Sequence, residues 1–312
     1  MLYPLLFHPI TKPKVWGSET WLLSGYGDDQ SVVANGFLKG NSIGEVLEIY
    51  MDELVGGKVY DRYGSLFPLL FKIIDANDNL SVQVHPDDEQ AAATAHDNDD
   101  VRQLGKTEMW VVTKAEQDAS IILGFARPTN AEEVQKSLSE NTITDLLQVV
   151  PVKKDDVALI PAGTVHALRK GTQVAEIQET SDITYRLYDY NRPGLDGRLR
   201  ELHIPQALQV LRYEALPQPL TEVKDTRPVT NLADDPHFTT NRLRFSGTLQ
   251  RDYARYDSFV VYICLNGEAE IRHEDGSATL KAGQTCLVPA CLPDIQLVSK
   301  GECDILETLI TN

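Results

Sequence analysis

The run Leu80-Ser81-Val82-Gln83-Val84-His85 alternates apolar and polar side chains and is stopped by Pro86, with Asp87 and Asp88 behind it. A period of two is the mark of a β-strand with two unlike faces. Pro86 ends the ladder by removing a donor, and the aspartates suit the turn that follows. Leu80, Val82 and Val84 therefore belong against a core, while Ser81, Gln83 and His85 place a hydroxyl, an amide and an imidazole on the other face. From that face Gln83 and His85 can both reach one metal ion. Taken alone, the segment also reads as a half-exposed surface strand whose polar side merely meets water. The residues downstream decide between the two.

Short apolar or alternating runs recur along the chain: Val15 to Trp21, Ser42 to Tyr50, Phe67 to Ala76, Thr107 to Val112, Val157 to Ile160, Ala175 to Gln178 and Thr184 to Tyr188. After a proline-spotted stretch, Leu216 to Pro228, come Ser258 to Cys264, Gly267 to Arg272 and Thr285 to Pro289. Many short strands punctuated by Gly and Pro predict a mainly β protein of double-sheet, jelly-roll barrels with a small helical insertion. The clearest helix is predicted over Thr129 to Gln148. Thr129 or Asn130 can cap it, Glu132 and Glu133 follow, Val134, Leu138, Leu146 and Leu147 form its apolar stripe, and it breaks near Asn141. A second helix is expected over Leu202 to Tyr213. Pro86 to Lys106 reads as a short helix and a solvated loop. Its acidic run at Asp97, Asp99 and Asp100 has the wrong spacing for a calcium loop and reads as surface.

A chain of 312 residues exceeds a usual single domain. The expected division is a catalytic, metal-binding domain over residues 1–215, with helical segments near 129–148 and 202–213, and a degenerate β domain over 216–312. A faint echo supports a repeat: Asp156 to Gly163 resembles Gly283 to Ala290. The net charge of -17 argues against nucleic acid or an anionic membrane as partner, and an anionic ligand requires local Lys and Arg to reverse the field. The N-terminus lacks a basic region before its short apolar run, and no apolar run is long enough to span a bilayer, so a cytoplasmic protein is expected. The four cysteines, Cys264, Cys286, Cys291 and Cys303, form no close pair of the zinc-ribbon type and read as free, buried thiols.

Pro161-Ala162-Gly163 followed by His166 is a turn that sets an imidazole at the mouth of a sheet. Together with Gln83, His85 and Glu108 it offers two nitrogen and two oxygen donors, a set that suits a borderline divalent ion, zinc first, with Mn, Co, Ni or Fe possible by chemistry. Without a thiolate the set suggests a catalytic site with open positions rather than a structural clamp. Singly, Glu108 also reads as a surface acid and His166 as a histidine satisfied within a turn.

His85-Pro86, Glu108 and Pro161-x-Gly163-x-x-His166 resemble the metal-binding pattern of cupins. The longer string is more specific. Phe67 to Leu70, Leu80 to Asp88, Gly105-Lys106-Thr107-Glu108 and Tyr185 to Tyr190 are similar to type I mannose-6-phosphate isomerases of the short bacterial branch. Where the long branch has His-Lys-Pro-Glu, this chain has Gly105-Lys106-Thr107-Glu108, keeping the lysine and the glutamate but not the histidine. The resemblance implies one zinc ion per chain on Gln83, His85, Glu108 and His166, catalytic roles for Arg186 and Lys106, and sugar contacts from Ser81 and Asp182. It also implies interconversion of mannose 6-phosphate and fructose 6-phosphate through a cis-enediol. Charge developing on the sugar oxygens would suit a divalent ion and a guanidinium that keeps its proton.

Lys106 would either shuttle a proton or bind an anionic group, and the carbon base stays open among Lys106, His85, Glu176 and a metal-bound water. Arg192, Arg198, Arg200 and Lys170 are phosphate candidates by position. In the second strand set Pro289-x-Cys291-x-x-Asp294 replaces the metal turn, so no metal is expected there and Cys291 reads as a small buried residue. The rival functions are a dioxygenase or different sugar isomerase, and a sugar-binding cupin without activity. The first would favour a histidine-rich ferrous site, and the last would not need Arg186 and Lys106 beside the metal. Nothing in the sequence specifies an oligomeric state.

Overall fold

The structure is a computed structural model describing residues 2–94, 103–274 and 276–311. Asp97, Asp99 and Asp100 lie outside the described residues. The chain is mainly β and divides into two compact units, one of Thr11–Thr20 and Phe71–Thr221, the other of Met1–Ile10, Trp21–Leu70 and Glu222–Asn312. This differs from a single cut near residue 215. Residues 21–70 join the C-terminal strands because backbone groups tie them there: Ala290 N–H donates to the Leu54 carbonyl at 2.9 Å and Phe259 N–H to the Val55 carbonyl at 3.1 Å.

The unit built on Phe71–Thr221 is two antiparallel sheets. One runs in the order Val157–Ile160, Glu108–Ala115, Thr172–Glu179, Leu69–Ala76, Gly17–Leu23, Ile10–Lys14; the other in the order Leu147–Pro151, Ser120–Phe125, His166–Leu168, Val82–Val84, Tyr185–Tyr188. Ile74, Trp110, Val112 and Val174 of the first sheet pack with Ile121, Leu123 and Leu168 of the second. On the outer side of the second sheet, Val82, Val84 and Leu187 pack with Val134 of the helix Ala131–Ser139 and with Ala207 and Val210 of the helix Ile204–Val210. Val82 and Val84 thus meet helices, and Gln83 points the other way. Neither side of the segment is a surface: Ser81 is 3% exposed and His85 1%.

Ser42 to Tyr50, read above as a strand, is the start of a helix, Ile43–Val55. Ser42 Oγ accepts the Glu45 N–H at 3.2 Å and the Glu45 carboxylate accepts the Ser42 N–H at 2.7 Å, a reciprocal capping box. Ile43, Val46 and Leu47 are buried at helical spacing. The segment from Thr129 is likewise shorter in helix than expected. Asn130 caps Ala131–Ser139, Asn141 takes φ 60° and ends it, Ile143–Leu146 is a single tight turn, and Leu147–Pro151 pairs as a strand with Ser120–Phe125. Leu147 therefore serves a sheet, where it packs with Ile122 and Phe125 in the same core as Val134. The helix expected over Leu202 to Tyr213 spans Ile204–Val210.

In the other unit the strands Thr239–Asp252 and Asp294–Leu309 pair along their length. Tyr262, Ile271, Leu297 and Ile305 are in its core. Glu307 is fully buried there, accepting from Arg251 Nε at 2.7 Å, from Asn241 at 2.9 Å and from the Tyr253 hydroxyl, which also meets the Tyr262 hydroxyl. The four cysteines are free thiols; Cys291, expected to be buried, is exposed in the turn before Asp294–Leu309. Among the described residues no helix is long and apolar enough to cross a membrane.

Candidate active site

Strand register assembles the site. His166 stands opposite Gln83, and Gln83 opposite Arg186, on three neighbouring strands. Directly opposed residues share a face of the sheet, so imidazole, amide and guanidinium point together, away from the helix-facing valines. The other sheet presents Glu108 opposite Gln178, and Trp110 opposite Glu176.

Two glycines let the connecting turns close on this face. Gly163 has φ +84°, where a β-carbon would lie 2.8 Å from the Val210 carbonyl oxygen, and its N–H donates to the His85 carbonyl at 2.8 Å. The turn that carries His166 is thereby latched to the strand end that carries His85. At Gly105 a β-carbon would be 2.5 Å from the Asp87 backbone, and the next residue, Lys106, donates its N–H to the Pro86 carbonyl at 2.9 Å.

The donors converge between the sheets. His166 Nε2 lies 3.2 Å from Glu108 Oε1 and 3.3 Å from the Gln83 amide nitrogen, whose amide must turn over to present Oε1 to a metal, and His85 Nε2 lies 3.6 Å from Glu108 Oε2. Ligand atoms of His85, Glu108 and His166 all fall within 4.8 Å of one another. Each histidine turns its Nδ1 to a backbone carbonyl at 2.8 Å, Ile183 for His85 and Thr164 for His166. This assigns the proton to Nδ1 and leaves the Nε2 lone pair facing Glu108, the outer-shell arrangement of a metal-binding histidine.

Electrostatics fit a cation at this point. Both Glu108 oxygens are buried and accept no well-aligned hydrogen bond, which is costly for a carboxylate unless positive charge stands close. The Lys106 ammonium, 2.9 Å from Glu108 Oε2 and 3.0 Å from His85 Nε2, supplies charge there without coordination. Burial raises the Glu108 carboxyl, but Lys106 and His166 outweigh it and hold the group below the carboxylate range. Burial, then Lys106 and His166, pushes His85 well down, and burial lowers His166 as well. Neutral imidazoles beside a carboxylate are the protonation states that metal binding requires. Burial lowers the Lys106 ammonium, yet Glu108 and then Glu176 hold it above its ordinary value.

A cavity of about 250 Å³ opens over the donors. Ser81, Gln83, Lys106, Asp182 and Arg186 line it, while His85, Glu108 and His166 are fully buried beneath. Arg186 donates one terminal nitrogen to the Glu201 carbonyl at 2.8 Å. Of the four phosphate candidates Arg200 lines this cavity, and Arg192, Arg198 and Lys170 do not. Sequence reasoning missed Lys72, which also lines it. Lys72 Nζ donates to Gln178 at 2.7 Å and sits 3.3 Å from Glu176 Oε1. Its signal was a lone lysine inside the apolar run Phe67 to Ala76. Glu176 Oε2 accepts from Trp110 Nε1 at 2.8 Å, and burial, then Glu108, raises its pKa.

Comparison with known proteins matches two stretches to family models: phosphomannose isomerase type I, catalytic domain, over residues 8–119, and mannose-6-phosphate isomerase, cupin domain, over residues 229–306. The mannose-6-phosphate isomerase ManA of Bacillus subtilis is 34% identical over 320 residues, covering 96% of this chain and 97% of that protein. The mannose-6-phosphate isomerase of Streptococcus mutans is 33% identical over 98% of each chain. The crystal structure of the mannose 6-phosphate isomerase from Bacillus subtilis superposes with a TM-score of 0.85 at 28% identity, covering 98% of this chain and 99% of that one. A phosphomannose isomerase variant from Salmonella typhimurium, at 15% identity, shares the fold with a TM-score of 0.79.

Proposed function

Because this chain belongs to the type I mannose-6-phosphate isomerases, we propose that the site around Glu108 interconverts mannose 6-phosphate and fructose 6-phosphate through a cis-enediol. Zinc is the ion that suits it, one per chain, held by Gln83, His85, Glu108 and His166. The observation that supports this most is the meeting of those four donors, from two facing sheets, beneath a cavity that Arg186 also lines. When bound, the metal supplies Lewis acidity, polarising the sugar carbonyl and offsetting charge on its oxygens.

The residues divide the remaining work. Arg186 keeps its charge and faces the cavity beside Gln83, so it holds the charge that grows on the enediol oxygens. Lys106, kept protonated by Glu108 and Glu176, donates to a sugar oxygen and is unsuited to take a proton from carbon. Both histidines commit Nδ1 to a carbonyl and would commit Nε2 to the metal, so among the side-chain candidates Glu176 is the one assigned to carry the proton between C2 and C1. Its Oε1 accepts no hydrogen bond, and burial brings its pKa nearer to working pH, where a base is most effective. The Ser81 hydroxyl and the Asp182 carboxylate, both on the cavity wall, bind sugar hydroxyls.

The same proposal places the reaction in the cytoplasm and leaves the C-terminal strands, where Cys291 and Asp294 replace the glycine and histidine of the metal turn, without metal. A coupled assay for fructose 6-phosphate, run with and without chelator, tests it. Activity should vanish with the metal and return when zinc is restored; activity that survives complete chelation overturns the reading.

A further inference from the structure

We propose that Arg200 is the residue by which the cavity selects a phosphorylated sugar, its unspent terminal nitrogen receiving the phosphoryl group. This rests on the sugar-phosphate reading of the same cavity.

In a chain of net charge -17 an anion enters only where cations are left uncompensated. Four of the five cations lining the cavity are paired: Lys14 lies 3.4 Å from Glu19, Lys72 3.3 Å from Glu176, Lys106 2.9 Å from Glu108, and Arg200 pairs with Asp189, which it shares with Arg192. The two arginines differ. Arg186 has no carboxylate within ion-pair distance among the described residues, and its Nε is buried without a hydrogen-bond partner. Arg200 gives its Nε, at 2.6 Å, and one terminal nitrogen to Asp189, so its other terminal nitrogen stays unspent.

The fold brings these donors together. Arg186 N–H donates to His203 Nδ1 at 3.2 Å and His203 N–H to the Arg186 carbonyl at 2.8 Å, so the segment from Arg200 to His203 runs beside the strand Tyr185–Tyr188. After burial, the charge of Arg200 is the next largest influence lowering the Arg186 guanidinium. Asp189, 5% exposed, divides its charge between Arg200 and Arg192, and Asp78 pairs with Arg192 at 3.1 Å.

A phosphomonoester carries a charge of about -1.5 to -2 at neutral pH and three acceptor oxygens. Bound at Arg200, it would relieve the repulsion between the two guanidinium groups and take up the unspent N–H of Arg200. Arg186 stands opposite Gln83 and is assigned to the enediol oxygens, which leaves Arg200 as the arginine for the C6 phosphoryl.

Steady-state kinetics of Arg200→Met and Arg200→Lys with mannose 6-phosphate test this, with inorganic phosphate as competing anion. Arg200→Met should raise KM by at least ~10-fold, about 1.4 kcal/mol, with kcat within ~3-fold of the parent. It should weaken inhibition by inorganic phosphate by a similar factor, and Arg200→Lys should recover part of both. Unchanged metal content and thermal unfolding in Arg200→Lys guard against a folding defect. An unchanged KM, or a fall in kcat with phosphate inhibition intact, overturns the proposal. A parent protein whose inorganic phosphate binding, read by calorimetry, depends on Arg200 but which forms no fructose 6-phosphate would sink the isomerase reading and uphold this one.

Discussion

At Gly163 the choice of residue is forced by a backbone at φ +84° and by a carbonyl oxygen 2.8 Å from any added β-carbon. Gly163→Ala should therefore cost about 1–3 kcal/mol of stability, read by denaturant unfolding. Because the same turn bonds His85 and carries His166, the metal that the protein binds should fall with it, and a variant of parental stability and full metal content would contradict the latch. Arg186→Ala tests a different kind of residue. Its kcat should drop by at least ~10-fold, about 1.4 kcal/mol of barrier, and a smaller loss removes the guanidinium from the chemistry. The turn and a cavity lysine differ in how much of them the sequence reveals. The Pro161-x-Gly163-x-x-His166 turn is local, so its chemistry shows in six consecutive letters. Lys72 was not legible, because its meaning depends on Gln178, 106 positions away, and only strand packing brings them into contact.

Elements were read well where a single periodicity ruled and poorly where two competed. The strand Val82–Val84 follows from strict alternation. Ile43, Val46 and Leu47 suit a helix, but with Ile49 they also mimic a strand, and the deciding signal was Ser42-x-x-Glu45. Ser42→Ala removes the side-chain half of that capping box and should cost about 1 kcal/mol, read by chemical denaturation. Metal content and turnover should stay at parental values, since the helix contributes no residue to the cavity; a loss of turnover at full stability would contradict that separation.

For the whole molecule, the interior of the C-terminal strands sets an alkaline limit. Burial, then the neighbouring Tyr262 and Glu307, raises the Tyr253 hydroxyl, and burial followed by Glu307 raises Tyr262. The unfolded chain loses these protons first, so above about pH 10 the folded state binds more protons and stability falls by up to ~1.4 kcal/mol per pH unit for each tyrosine. Below about pH 10 that stability is fully present. Unfolding midpoints followed into alkali should decline less steeply in Tyr262→Phe than in the parent; equal slopes would refute the assignment. That the Tyr262 hydroxyl meets Tyr253, which in turn bonds a buried carboxylate, could not be read from the sequence, because Tyr253 and Glu307 lie 54 positions apart. The same scale holds one more consequence. Leu5 is paired with Leu287 across adjoining strands. During synthesis the ribosome releases the first strand long before its neighbour exists, whereas Phe71–Thr221, nearly all of the other unit, emerges as one continuous stretch. Closing so long a loop is a late event, so the two sheets around Glu108 can be complete while the strand Leu5–His8 is still waiting for Thr285–Val288.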